Sequence, residues 1–133
     1  MKTIYLTGHN NFNNRGCEAI VRSTIKLLSE NNKSTKFIVP SLNIARDLKK
    51  WPDAKIYGVT FVKYQIPFFL KILWKIQKIF NLCKFDFFNY YPKYLLKICK
   101  NVDLFLSIGG DNYTFDYTYP ADIIYQDKLA FKM

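Results

Sequence analysis

The sequence is poor in the residues that usually build metal sites. It holds one histidine, His9, and three cysteines, Cys17, Cys83 and Cys99, with no Cys-x-x-Cys pair. A closed zinc site takes four Cys or His ligands, so this scarcity argues against one, and three distant thiols make no disulfide framework. Free thiols suit a reducing cytosol. Glycine is sparse as well. Neither a Gly-Lys-Ser/Thr phosphate loop nor a G-x-G-x-x-G fingerprint occurs, which removes the two common nucleotide motifs. Arginine stands only at Arg15, Arg22 and Arg46. Arg22 and Arg46 fall in predicted helices and are expected to be solvated. The start of the chain does not read as a signal peptide, because Lys2 is followed only by Ile4-Tyr5-Leu6 before Gly8. No internal repeat, low-complexity tract or linker is visible.

Acidic residues are also few, 10 against 20 Lys and Arg, for a net charge of +10. The imbalance is local. Residues 63–100 carry eight lysines and one acid, Asp86, whereas residues 101–127 carry five aspartates and no Lys or Arg. A basic block suits nucleic acid or an anionic membrane surface. AT-rich codons, which favour Lys, Asn, Ile, Tyr and Phe, give the same balance without a basic partner. What is abundant is apolar: half of the 133 residues are hydrophobic and 18% aromatic, enough for one folded domain with a core.

The apolar pattern predicts alternating elements. Thr3–Thr7 reads as a buried strand ending at Gly8. A polar loop follows, and then a helix of about 12 residues over Ala19, Ile20, Ile25, Leu27 and Leu28, ending at Asn31-Asn32. Lys36–Val39 reads as a strand stopped by Pro40, with Ser41 capping a helix over Leu42–Lys50. Ile56–Val62 reads as a third strand interrupted by Gly58. Pro67 opens an amphipathic helix to about Phe80, with Lys71, Lys75 and Lys78 on one face and Phe69, Leu73, Ile76 and Phe80 opposite. That apolar face is expected to meet the core. A further helix starts near Pro92, Val102–Ile108 is the strongest strand, and Pro120 opens a last helix. Continuous apolar strands separated by helices predict an α/β fold with a Rossmann-like parallel sheet and flanking helices, as one domain over residues 1–133.

Ligands of open parallel sheets bind beyond the carboxyl ends of the strands, so the loops leaving those ends are the candidate site. The first, Gly8 to Glu18, offers His9, Asn13, Asn14, Arg15, Gly16 and Glu18. Its neutral donors and acceptors suit sugar hydroxyls, and the helix that begins near Gly16 would turn free N–H groups towards an anion. The same asparagines also serve to turn and cap a chain. The second loop, Gly109-Gly110-Asp111-Asn112, follows the strongest strand; its glycines allow close backbone approach, and Asp111 either accepts from a hydroxyl or caps the next segment. Both loops are expected at one edge of the sheet.

Taken together, the segments Gly8-x-x-x-x-x-Asn14-x-Gly16-Cys17-Glu18-Ala19 and Asp103-Leu104-Phe105-Leu106-Ser107-Ile108-Gly109-Gly110-Asp111 resemble the polysaccharide pyruvyl transferase family. Cys17 stands where many members carry Asp, and Asp111 where many carry a third Gly. The resemblance covers the first part of the family's length. It implies the N-terminal half of a two-domain, glycosyltransferase-B-like fold and transfer of a pyruvyl group from phosphoenolpyruvate to a sugar of a surface polysaccharide. Phosphoenolpyruvate is the implied donor substrate, with no metal or other cofactor. The implied partners are a sugar or lipid-linked glycan acceptor and a missing C-terminal domain that supplies the donor-gripping groups, in the cytoplasm or at the inner face of the membrane. On this reading the chain alone is inactive, and an uncovered apolar face would favour self-association. The alternative is a non-catalytic basic module that binds a membrane surface, through residues 67–80, or a nucleic acid.

Overall fold

The computed structural model describes residues 2–9, 11–31, 34–64, 67–79, 91, 93–109 and 121–133. Four strands, β1 (Thr3–Thr7), β2 (Lys36–Ser41), β3 (Val59–Lys63) and β4 (Leu104–Ser107), form one sheet in the order β3-β2-β1-β4. All three pairings are parallel. The helices are α1 (Arg15–Asn31), α2 (Ile44–Lys50), α3 (Phe68–Ile79), α4 (Lys93–Cys99) and α5 (Ala121–Lys132). The fold is therefore α/β with a parallel sheet flanked by helices, as the apolar runs predict.

Period-two alternation divides the strands between two cores. Ile4 and Leu6 of β1, Phe37 and Val39 of β2, and Val59 and Phe61 of β3 face one side, where Val21 and Ile25 of α1 and the buried Trp51 cover them. Tyr5 faces the other side and meets Leu95 and Cys99 of α4 and Tyr125 and Leu129 of α5. Burial holds the Tyr5 phenol well above its usual range and pushes the Cys99 thiol up to about 11, so both stay neutral in the core. The chain winds outward from β1 through β2 to β3, then returns past β1 to form β4. That reversal places a switch point between β1 and β4.

Several local expectations shift by a few residues for identifiable reasons. Helix α1 starts at Arg15 because the Asn14 side chain caps it, Oδ1 accepting from Gly16 N at 2.8 Å. Its inner stripe is Val21, Ile25 and Leu28, while Leu27 lies exposed. Asn43, not Ser41, caps α2, accepting from Arg46 N at 3.1 Å. Strand β2 runs on through Pro40 to Ser41, since Pro at its carboxyl end costs little pairing. The apolar stretch before Gly58 is a short 3-10 turn, Ala54–Tyr57, and the strand begins only after the glycine.

The amphipathic helix forms as predicted, but its apolar face does not simply meet the core. Leu73 packs into the second core, whereas Phe69 and Ile76 are exposed. Phe80 lies outside the described residues.

Gly58 is the backbone position that the fold constrains most. It sits at φ +73°, and a Cβ there would lie 2.5 Å from the Thr35 carbonyl oxygen, a backbone atom. Gly58→Ala is expected to lower stability by about 2 kcal/mol or more, through left-handed strain and the collision together. Urea denaturation of the two proteins measures it, and an unchanged midpoint would show that the turn relaxes freely.

Candidate functional site

The site is set by how β1 and β4 are joined. Their ladder pairs Ile4 with Leu104 through to Thr7 with Ser107. Asp103 pins its amino end: Thr3 N donates to Asp103 Oδ2 at 2.7 Å, and Asp103 N donates to Thr3 O at 2.9 Å. At the carboxyl end Ile108 N donates to Thr7 O at 3.0 Å. The two strands therefore deliver Gly8-His9 and Ile108-Gly109 side by side. Both glycines hold positive φ, 77° at Gly8 and 147° at Gly109, so each chain turns where other residues rarely could. This is the crevice at a topological switch point, where open α/β sheets bind ligands. Gly110, Asp111 and Asn112, the rest of the second loop, lie outside the described residues.

The first loop is held from α2. Phe12 is fully buried, edge-on to Phe61 at 5.6 Å and tilted against His9 at 4.9 Å between ring centroids. Its backbone is gripped at both ends: Phe12 N donates to Asp47 Oδ1 at 3.3 Å, and the Lys50 ammonium donates to Phe12 O. The Asp47 carboxylate, 0% exposed, also accepts from Ser41 Oγ at 2.6 Å. Asp47, Lys50 and Phe12 thus position the loop, and the sequence does not mark them. Asp47 and Lys50 read as ordinary charges of a short helix, because their partner lies 35 and 38 residues away.

The expected site residues divide by role. Asn13, Asn14, Arg15 and Gly16 are exposed around the start of α1. The loop asparagines also do local work: Asn11 Oδ1 accepts from Asn13 N, and Asn14 Oδ1 takes the Gly16 amide, both at 2.8 Å. The Gly16 N–H is thus already satisfied within the cap. Gly16 is helical, and a Cβ there would lie 3.2 Å from Asn14 Oδ1, so crowding of the cap, not backbone freedom, is what a larger residue would disturb. Glu18 pairs with Arg22 at 3.0 Å one turn on. Arg22 is not a solvated helix charge: Nη2 donates to Lys50 O at 2.7 Å, and its guanidinium lies 5.1 Å from the Trp51 ring centroid. Arg46 lies 4.0 Å from Asp47. The Arg46 side chain stays 41% exposed, as expected of a solvated helix charge, and Arg15 is exposed at the start of α1.

His9 is the most distinctive group. It is 5% exposed, at the mouth of the switch point, and its Nε2 is buried with no hydrogen-bond partner among the described residues. Burial pushes the imidazole down to about 4, against a smaller upward pull from the Asp47 carboxylate. At neutral pH it is an uncharged imidazole with one unmet hydrogen-bonding nitrogen. Among the described residues no three His, Cys, Asp or Glu side chains gather as metal ligands.

Comparison with known proteins adds no family: no protein-family model, no curated protein and no solved structure matches this chain.

Two tests follow from this geometry. The folded state disfavours charged His9, so folding binds fewer protons than the unfolded chain between pH 6.5 and about 4. Stability should be full above the unfolded value, fall by up to about 3 kcal/mol as pH drops through that window, and change no further from this group below it. His9→Phe should flatten that part of the profile. His9 is the only histidine, so one imidazole proton resonance reports its titration directly; a midpoint near 6.5 would contradict burial as the controlling force. Separately, Asp47→Ala leaves Phe12 N and Ser41 Oγ without their acceptor and is expected to cost about 2–4 kcal/mol in chemical denaturation. It should also raise amide exchange at Phe12.

Proposed function

We propose that this chain forms the acceptor-side half of a pyruvyl transferase acting on a polysaccharide. The observation that carries the reading is the β1–β4 pairing, because it supports bringing the two separated motif segments, from Gly8 onwards and from Asp103 to Gly109, to one edge of the sheet. In this reading the sugar lies at that edge. Its hydroxyls meet the neutral His9 imidazole, the Asn13 and Asn14 amides and the backbone beside Gly109. Phosphoenolpyruvate supplies the pyruvyl group, two sugar hydroxyls add to its central carbon to form a ketal, and inorganic phosphate leaves.

The donor carries a phosphate and a carboxylate, and each needs cationic or N–H donors held in place before reaction. Arg22 is engaged beside Trp51 and Arg46 sits on α2 next to Asp47, which leaves Arg15 beside the first loop. One exposed guanidinium does not hold both anions, so the donor's grip comes from a second domain facing the same crevice.

The test has two arms. Methyl galactosides and mannosides titrated into the isotope-labelled chain should shift the amides of Gly8, His9 and Gly109. Purified chain incubated with phosphoenolpyruvate and those sugars should release no phosphate beyond a heat-treated control. Shifts confined to other surfaces would remove the acceptor reading, and turnover would show that this half grips its own donor.

A further inference from the structure

Helix α3 leaves an apolar stripe in solvent beside a basic one. Phe68 is 76% exposed, Ile72 42% and Ile76 41%. Their spacing of four residues places them within a sector of about 80° on the helix. Lys71 and Lys75, both exposed, occupy the flanking sector at the same spacing. Leu73, on another side, packs the helix into the second core, so the stripe is displayed from a fixed element. No helix among the described residues is long and apolar enough to cross a membrane.

From this face we infer that α3 docks the protein flat on an anionic lipid bilayer, with Phe68, Ile72 and Ile76 in the acyl–headgroup boundary and Lys71 and Lys75 against lipid phosphates. Charge complementarity selects this occupant. The stretch 63–100, to which the helix belongs in sequence, holds eight lysines against one acid, a match for an anionic surface. A second copy of the same chain would bring like charges together, because the stripe and its lysines would face their own duplicates. A nucleic acid would use the lysines and leave the isoleucines without a role. The geometry has a further consequence. Strand β3 ends at Lys63 and α3 begins at Phe68, so the first turn of α3 stands at the carboxyl edge of the sheet, the edge that carries Gly8, His9 and Gly109. The docking itself does not rest on the sugar chemistry proposed above.

Co-sedimentation with unilamellar vesicles tests it. The chain should pellet with phosphatidylcholine vesicles that contain phosphatidylglycerol, far less with phosphatidylcholine alone, and less as salt rises. Each lysine near such a surface is worth about a fivefold factor, so Lys71→Gln with Lys75→Gln should weaken partitioning about 25-fold. Ile72→Asp with Ile76→Asp should weaken it about tenfold or more, with circular dichroism confirming the fold. The lysine pair is exposed and keeps the test valid if the isoleucine pair unfolds. Three results overturn the proposal: no pelleting with anionic vesicles, pelleting that neither variant changes, or a dimer in sedimentation equilibrium that Ile72→Asp dissolves without any vesicle binding. Vesicle binding without glycoside-induced shifts at Gly8 and His9 would leave the docking face standing and remove only the acceptor reading.

Discussion

The Asp47 carboxylate lies wholly out of water, and the position of the first loop depends on how that charge is satisfied. A buried carboxylate is tolerated only where hydrogen bonds replace its hydration. Here the replacements are the Ser41 hydroxyl and the Phe12 amide. One comes from the end of β2 and the other from the loop after β1, so a single side chain ties two adjacent strand ends to α2. Lys50, one turn further along, takes the Phe12 carbonyl. Phe12 is thereby fixed by its backbone as well as by its ring, and His9 is fixed against the ring. The part of this loop around Phe12 is thus tied to α2 and is not a plain polar connector.

The β4 side of the crevice depends on Asp103. That residue opens the second motif segment, and its position argues for a structural role. Asp103 binds Thr3 at the amino end of the sheet, the end away from the glycines. Parallel pairing has no tight turn to fix its register, and a slip of one residue would turn every side chain of the strand to the opposite face. Asp103 pins that register with a side-chain and a backbone bond to the same residue. Its effect on the crevice is carried along the ladder to Gly109.

Strands β1 and β4 were legible because each is a short apolar run that ends at a glycine, and the structure buries Ile4 and Leu6 on one side and Tyr5 on the other. Their adjacency follows from the preference of α/β chains for such windings, not from any residue. Other features were hidden in principle. The stretch before Gly58 is as apolar as a strand, and only its left-handed glycine reveals a turn. Ser41 and Asn43 both suit a cap, and tertiary contact decided between them: Ser41 Oγ is drawn to Asp47, which leaves the cap to Asn43. Arg22 reads as a surface charge because Trp51, its stacking partner, is remote in sequence. In α3 the amphipathic pattern was correctly read as helix, but periodicity gives a face without saying what covers it. Gly110, Asp111 and Asn112 complete the second loop in sequence but lie outside the described residues, so that half of the site rests on Gly109 alone.

The protonation state of His9 bears on which substrate the crevice suits. A histidine near an anion usually gains from being charged, and the nearby Asp47 carboxylate pulls in that direction. Desolvation outweighs it. The outcome is a neutral ring whose Nε2 has no hydrogen-bond partner among the described residues, a state that costs about 1–3 kcal/mol for a buried polar atom. A sugar hydroxyl can donate to a bare imidazole nitrogen or accept from a protonated one, so it satisfies either tautomer without adding charge to a dry site. Under the proposed reading, that neutrality suits the sugar hydroxyls placed at His9.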